Sequence, residues 1–276
     1  MNPNESEILT PDGIVERVFV DSVDSTNNYA MNLLRDKEMS GSKFNNFYVV
    51  TADQKLGKGQ RGNRWSSNKG HDLAMSWVIS TPPKVDATVF NMAVALATIN
   101  GVHESIVKTY TTGVPRAALA LKWPNDIMMW SEGGHRKLAG LLVENHWRGE
   151  KWAASVVGIG VNVMSMRLAR RYHAISIKDS MGGGLCPEDL EQPIITQLEK
   201  YTARLMKPEG ARDIIHEYNS ELFGRNEMRH YIVEGEKVQG VLLRIEQSGK
   251  GVFKWTEGQD YIPPSELNSS EVKWLF

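Results

Sequence analysis

Short apolar runs that alternate with polar positions dominate the chain. Runs rich in Val, Ile, Trp and Tyr at residues 15–23, 47–52, 73–79, 118–123, 138–147 and 152–163 predict strands. Helical spacing interrupts them. Ser25 or Thr26 can cap a helix running to about residue 35, and Val89, Met92, Ala93, Leu96 and Ala97 recur at i, i+3, i+4, i+7 and i+8. A third helix is expected from Pro187, a good first-turn residue, to about residue 205, with a shorter one over 211–222. After Phe223-Gly224-Arg225-Asn226 the pattern changes to short strands with frequent turns, at 229–233, 238–246, 251–255 and 261–264, which predicts a small all-β barrel. The expected architecture is therefore α+β: a mixed or antiparallel sheet with helices over residues 1–223, and a β domain over 224–276. Residues 53–71 and 167–185, the second holding Met181-Gly182-Gly183-Gly184, lack either period and read as mobile loops.

Composition narrows the function classes. With 276 residues, 41% hydrophobic and 24% charged, the chain is long and apolar enough for a proper core and is not of disordered composition. Lys plus Arg total 32 against 33 acidic residues, so no global field gathers nucleic acid or an anionic membrane. The single cysteine, Cys186, excludes an internal disulfide and a thiolate zinc site, and the seven histidines show no ligand spacing. The polar, acidic start and the absence of an apolar run approaching ~18 residues point to a cytoplasmic location without a membrane partner.

Four segments can carry chemistry. Gly57-Lys58-Gly59-Gln60-Arg61-Gly62-Asn63-Arg64-Trp65 matches G-x-G-x-x-G, yet no helical period follows the third glycine, which argues against a dinucleotide fold. It can instead cradle an anion, because Lys55, Lys58, Arg61 and Arg64, offset by Asp53, give a local charge of about +3; a solvated basic turn is the alternative. In Lys122-Trp123-Pro124-Asn125-Asp126-Ile127 an amide and a carboxylate close a strand, either as a turn or as oxygen ligands for Mg²⁺. Lys137, in Arg136-Lys137-Leu138-Ala139-Gly140, either points into a cavity under the sheet or is an exposed hairpin charge. Asp24-Ser25-Thr26-Asn27 supplies hydroxyls at a strand-to-helix turn, which capping alone explains. Lys273 reads as an ordinary surface lysine.

These segments, with Gly158-Ile159-Gly160-Val161-Asn162, occur in the order and approximate spacing found in the biotin protein ligases, also called biotin–[acetyl-CoA-carboxylase] ligases, and the chain resembles that family. The likeness is strong over residues 15–165 and weaker through the C-terminal β region. It implies a catalytic domain like that of class II aminoacyl-tRNA synthetases, followed by an SH3-like barrel. The implied reaction has two steps: biotin and MgATP give biotinyl-5′-AMP and pyrophosphate, and a lysine of a carboxylase biotin carrier domain then takes the biotin. Carried over, Ser25, Thr26 and Gln54 would bond the ureido ring, with Asn27 beside them. Lys58, Gly59 and Gln60 would fold over biotin and phosphate, and Lys58 and Lys137 would be the catalytic cations, Lys137 bridging carboxylate and phosphate. Gly140, Gly160 and Asn162 would complete the substrate-binding set, Trp65 and Trp123 would be apolar walls, and Asn125 and Asp126 would serve Mg²⁺ through the substrate phosphate.

The glycine loop of the family commonly reads G-R-G-R-x-G-R, and here Lys58, Gln60 and Asn63 stand for three arginines. Lys cannot make the planar two-point contact of Arg, so retention of the adenylate is the property most affected. About 14 residues precede the first expected strand, too few for a DNA-binding domain, so a monofunctional ligase without a DNA partner, monomer or homodimer, is expected. Two rival readings are a lipoate or acyl ligase on a related fold and a non-catalytic adenylate- or nucleic-acid-binding module.

Overall fold

The structure, a computed structural model, describes residues 5–10, 13–41, 44–110, 118–166, 173–259 and 261–275. Strands β1 (Glu5–Thr10) and β2 (Gly13–Val23) form an antiparallel hairpin. Helix α1 (Thr26–Met39) then crosses to β3 (Phe47–Gln54), which runs parallel to β2. Two short strands, β4 (Gly57–Lys58) and β5 (Arg64–Trp65), precede β6 (Leu73–Ile79) and the long helix α2 (Ala87–Thr109). Strands β7 (Leu119–Lys122), β8 (Asp126–Ser131), β9 (Gly134–Arg148) and β10 (Lys151–Val161) complete an eight-stranded sheet ordered β1-β2-β3-β6-β10-β9-β8-β7. Helices α3 (Ile177–Met181), α4 (Glu191–Leu205) and α5 (Gly210–Ser220) lead to β11 (Met228–Val233), β12 (Glu236–Ile245), β13 (Gly251–Trp255), β14 (Glu266–Leu267) and β15 (Val272–Trp274).

The period-2 alternation of the strands separates two apolar layers. Phe47, Val49, Val78, Ala154 and Val156 bury against Ala30 and Leu34 of α1. On the other face Tyr48, Met75, Trp77, Val157 and Ile159 join the main core formed with α2, α4 and α5. Helix α2 is buried nearly all round because α4 lies against it: a Cβ on Gly101 would sit 2.6 Å from the Ile194 Cα. The remaining face of the sheet, past the N-terminus of α1, is left for the site. No helix among the described residues is long and apolar enough to cross a membrane.

Several elements differ from expectation. A strand, β1, already occupies the segment before residue 15. Residues 53–71 are built rather than loose, since β3 runs to Gln54 and β4 and β5 pair Gly57 with Trp65 and Lys58 with Arg64. Of the second stretch, residues 167–172 lie outside the described residues, and α3 occupies part of the remainder. Residues 261–264 form no strand; the pairing there comes from β14 and β15. The C-terminal strands form an open sheet ordered β14-β13-β12-β11-β15 rather than a closed barrel. Asn219 of α5 ties this sheet to the body, donating to the Ile245 carbonyl at 3.0 Å and accepting from its N–H at 2.7 Å.

Candidate active site

Three chain features converge at the free end of the large sheet. At the first, Ser25 caps α1 with its side chain, accepting from the Asn28 N–H, and the helix opens with Thr26 and Asn27 against the sheet. The Thr26 N–H and hydroxyl both reach Gln54 Oε1, at 2.9 and 3.1 Å. Capping and ligand wall are therefore the same residues, and the two uses do not compete.

The second feature is the glycine hairpin. Arg61 adopts φ 55° and Gly62 φ 77°, so the chain reverses between β4 and β5 in one short 3₁₀ turn, Gln60–Gly62, rather than opening an α-helix. Gly57 has to be small, because a Cβ would sit 2.6 Å from the Trp65 backbone carbonyl oxygen. Buried Asp72 anchors the far end of the loop. It accepts from the Asn68 N–H at 3.1 Å, the Val163 N–H at 3.0 Å and the Ser165 hydroxyl. Trp65 thereby lies flat over β9 and β10, where a Cβ on Gly160 would collide with its ring and one on Gly140 would come within 3.2 Å. The Trp65 Nε1 is buried against Gly160 and has no hydrogen-bond partner among the described residues.

The third feature is a β-bulge. Strands β8 and β9 pair Asp126 with Gly140 and Ile127 with Ala139, then skip Leu138 and pair Met128 with Lys137. The skipped residue reverses the alternation, which brings Lys137 onto the face shared by Gly140 and Asp126 while Leu138 enters the core. Lys137 Nζ sits 2.6 Å from Asp126 Oδ1 and 5.7 Å from the Trp65 ring centroid, and Lys122 Nζ is 3.5 Å from Asp126 Oδ2. Burial pushes the Lys122 ammonium below its ordinary pKa, with Asp126 opposing the shift.

The cleft between these features holds about 550 Å³, a volume that suits a small organic ligand. Ser25, Thr26, Asn27, Gln54, Lys58, Gly59, Gln60, Asn125, Asp126, Lys137, Gly140 and Gly160 all line it. Asn162 does not. Its amide is buried and donates to the carbonyls of Ile175 (3.2 Å) and Lys137 (3.4 Å), so it holds the segment behind Lys137 rather than touching a ligand. Trp123 is both wall and core: its ring meets Phe253 and its Nε1 donates to the Gly249 carbonyl. Asn125 Nδ2 donates to the Leu141 carbonyl at 2.7 Å, and Asp126 is held between two lysines. No group of three or more His, Cys, Asp or Glu side chains among the described residues converges as a metal cage.

Sequence reasoning missed the far wall. Ser269, Ser270, Val272, Lys273 and Trp274 face the cleft across from the large sheet, so Lys273 is not an ordinary surface lysine. Arg61 Nη2 donates to Ser269 Oγ at 2.8 Å, joining the hairpin to the C-terminal region. No local signal marks these residues, because only the tertiary docking of the C-terminal sheet brings them here.

A hydrogen-bonding wall at one end and a lysine paired with a carboxylate at the other suit a site that joins an acid to a phosphate group. The chain matches the model of the biotin/lipoate A/B protein ligase family over residues 19–162 and belongs to that family. It is 25% identical over 249 residues to the biotin–[acetyl-CoA-carboxylase] ligase of Paracoccus denitrificans, spanning 88% of this chain and 96% of that one. Its fold is similar to that of the Aquifex aeolicus biotin protein ligase solved with biotin and ATP, with TM-score 0.64, 20% identity and coverage of 93% and 97% of the two chains. The Leishmania major biotin protein ligase solved with biotin gives TM-score 0.62 at 22% identity, covering 98% and 100%.

Proposed function

We propose that this chain is a biotin protein ligase that activates biotin with MgATP and transfers it to a lysine of a carboxylase biotin carrier domain. The observation that carries this reading is one cleft with Thr26 and Gln54 at one end and Lys137, Asp126 and Trp65 at the other. Such a cleft suits a ligand with a polar ring head and a carboxylate tail.

In the first step a biotin carboxylate oxygen attacks the α-phosphorus of ATP, and the bond to the leaving pyrophosphate breaks. Two anions must approach, and Lys137, Lys122 and Lys58 offset their repulsion while the hairpin N–H groups donate to the oxyanions. Asp126 holds Lys137 in place before the substrates arrive. In the second step a carrier lysine amine attacks the acyl carbon, AMP leaves with the bonding pair, and the amine proton passes to solvent or phosphate. Mg²⁺ would arrive with the nucleotide substrate, and Asp126 and Asn125 would stand beside its phosphates. Ser25, Gly59, Gln60, Gly140 and Gly160 shape the pocket. We assign residues 1–223 to catalysis and 224–276 to a C-terminal β domain whose last strands close the nucleotide side. A cytoplasmic monomer or homodimer is the expected form.

Biotin-dependent ATP–pyrophosphate exchange tests the reading. Exchange that requires biotin supports it; exchange driven by lipoate and not biotin reassigns the chain to the other branch of its family. Folded protein with no exchange and salt-steep DNA binding would make it a non-catalytic module.

A further inference from the structure

The side chain of Asn27 reaches across three strands beneath the head end of the cleft. Ser76 of β6, Gly158 of β10 and Leu142 of β9 stand in register, and Glu144 lies two residues further along β9 on the same face. Gly158 makes room, since a Cβ there would collide with the Asn27 amide. Asn27 Nδ2 donates to Glu144 Oε2 at 2.7 Å, and Asn27 Oδ1 lies 2.6 Å from the fully buried Ser76 hydroxyl. That hydroxyl is in turn 2.7 Å from Thr26 Oγ1.

Proton counting fixes the direction of this chain. A carboxylate and a carbonyl only accept, so Glu144, through the short bond, and the Leu142 carbonyl, through a longer one at 3.4 Å, turn the Asn27 amide with its nitrogen outward and its oxygen toward Ser76. Ser76 then spends its single proton on Asn27 Oδ1 and has none for Thr26. Thr26 spends its own proton inside the protein, on Ser76 or on Gln54 Oε1, and offers a ligand acceptor capacity only. Gln54 is fixed separately: its Oε1 faces the Thr26 N–H, so its Nε2, without a partner among the described residues, remains a donor. The wall thus reads acceptor, acceptor, donor across Asn27, Thr26 and Gln54.

We propose that Glu144, which does not line the cleft, is a positioning residue that sets this polarity and so tunes recognition of a ring carrying N–H groups beside a carbonyl. The inference rests on the biotin ligase reading. If the Asn27 amide reversed, Ser76 would receive a proton from Asn27 and donate its own to Thr26, and part of the acceptor capacity facing the ligand would be lost.

The test uses Glu144→Met, which keeps side-chain length and removes the acceptor, and Glu144→Gln, which retains an acceptor oxygen. Calorimetry measures Kd for biotin and for its cyclic carbamate analogue, in which oxygen replaces one ring N–H; exchange assays give kcat and the biotin KM. Glu144→Met is expected to weaken biotin about fivefold to tenfold and to narrow the preference for biotin over the carbamate by a similar factor, the effect of roughly one hydrogen bond. Its kcat at saturating biotin should stay within about twofold, and Glu144→Gln should restore most of the preference. If Glu144→Met does not fold, Ser76→Ala, which removes the relay hydroxyl, must narrow the same ratio. A folded Glu144→Met with unchanged biotin Kd and unchanged preference overturns the inference alone. A general weakening of both ligands that leaves the ratio unmoved also overturns it, as a purely structural role. Wild-type protein that binds no biotin overturns the ligase reading and this inference with it.

Discussion

Lys137 Nζ lies 2.6 Å from Asp126 Oδ1 although the two residues belong to different strands, because the skipped Leu138 turns Lys137 to the face that carries Asp126. The carboxylate holds the ammonium where two anions must later meet. Lys137→Ala should therefore lower biotin-dependent pyrophosphate exchange about a hundredfold, corresponding to ~3 kcal/mol of lost transition-state stabilisation, while the melting temperature stays close to wild type. Exchange equal to wild type would return Lys137 to the status of a hairpin charge.

Lys273 faces the same cleft from β15 but is exposed, so a phosphate contact there works in high dielectric. An exposed pair of this kind contributes ~0.5–1 kcal/mol, and Lys273→Ala should raise the KM for ATP about twofold to fivefold with the biotin KM unchanged. Lys207→Ala, on an exposed turn, is the matching control and should be neutral. An ATP KM identical in the two variants would remove Lys273 from the nucleotide side.

Much of this was legible in the sequence because it is local. The Ser25 cap, the strand ending at Gln54 and the bulge-adjacent Lys137 lie inside short runs whose spacing states their role. Strand β8 was not foreseen, since Asp126-Ile127-Met128-Met129-Trp130 has no period-2 alternation; Ile127, Met128 and Met129 are all buried. The last strands were misplaced because β14 and β15 are two and three residues long and exist only through pairing with distant β13 and β11. For Asn162 the motif match pointed to a ligand, whereas the fold spends its amide on two backbone carbonyls. Asp72, Glu144 and the far wall carry no local pattern at all.

His135 gives a pH dependence of known sign. Its ring packs between Trp130 (5.1 Å) and Phe223 (5.0 Å), and burial first, then the Arg229 cation, push its pKa below the ordinary value, with Glu227 opposing. The unfolded chain thus binds a proton more readily than the native one. Stability from this site is complete above the unfolded pKa of about 6.5 and is lost as pH falls below it toward the depressed native value. Urea unfolding at about pH 7.5 and about pH 5.5 should show wild type losing more stability than His135→Gln over that interval. Parallel losses in the two proteins would assign the acid sensitivity to other groups.

Among the described residues the hairpin over the cleft is tied to the C-terminal region by the hydrogen bond from Arg61 to Ser269, and the neutral side chain of Gln60 lines the cleft wall. Both bear on how fast biotinyl-5′-AMP escapes. The Arg61 contact is exposed, so its loss costs ~0.5–1 kcal/mol, and Arg61→Ala and Ser269→Ala should each speed release about twofold to fivefold. Gln60→Arg acts in the opposite direction. A charge-assisted bond to the adenylate exceeds a neutral one by ~1–1.5 kcal/mol, so that variant should slow release by roughly tenfold. Stopped-flow chase of preformed adenylate with excess unlabelled biotin and ATP measures all three rates. Matching effects of Arg61→Ala and Ser269→Ala identify their bond as the latch. An off-rate unchanged by Gln60→Arg but raised by Arg61→Ala would show that position 60 packs away from the adenylate and that closure depends on the Arg61 tie alone.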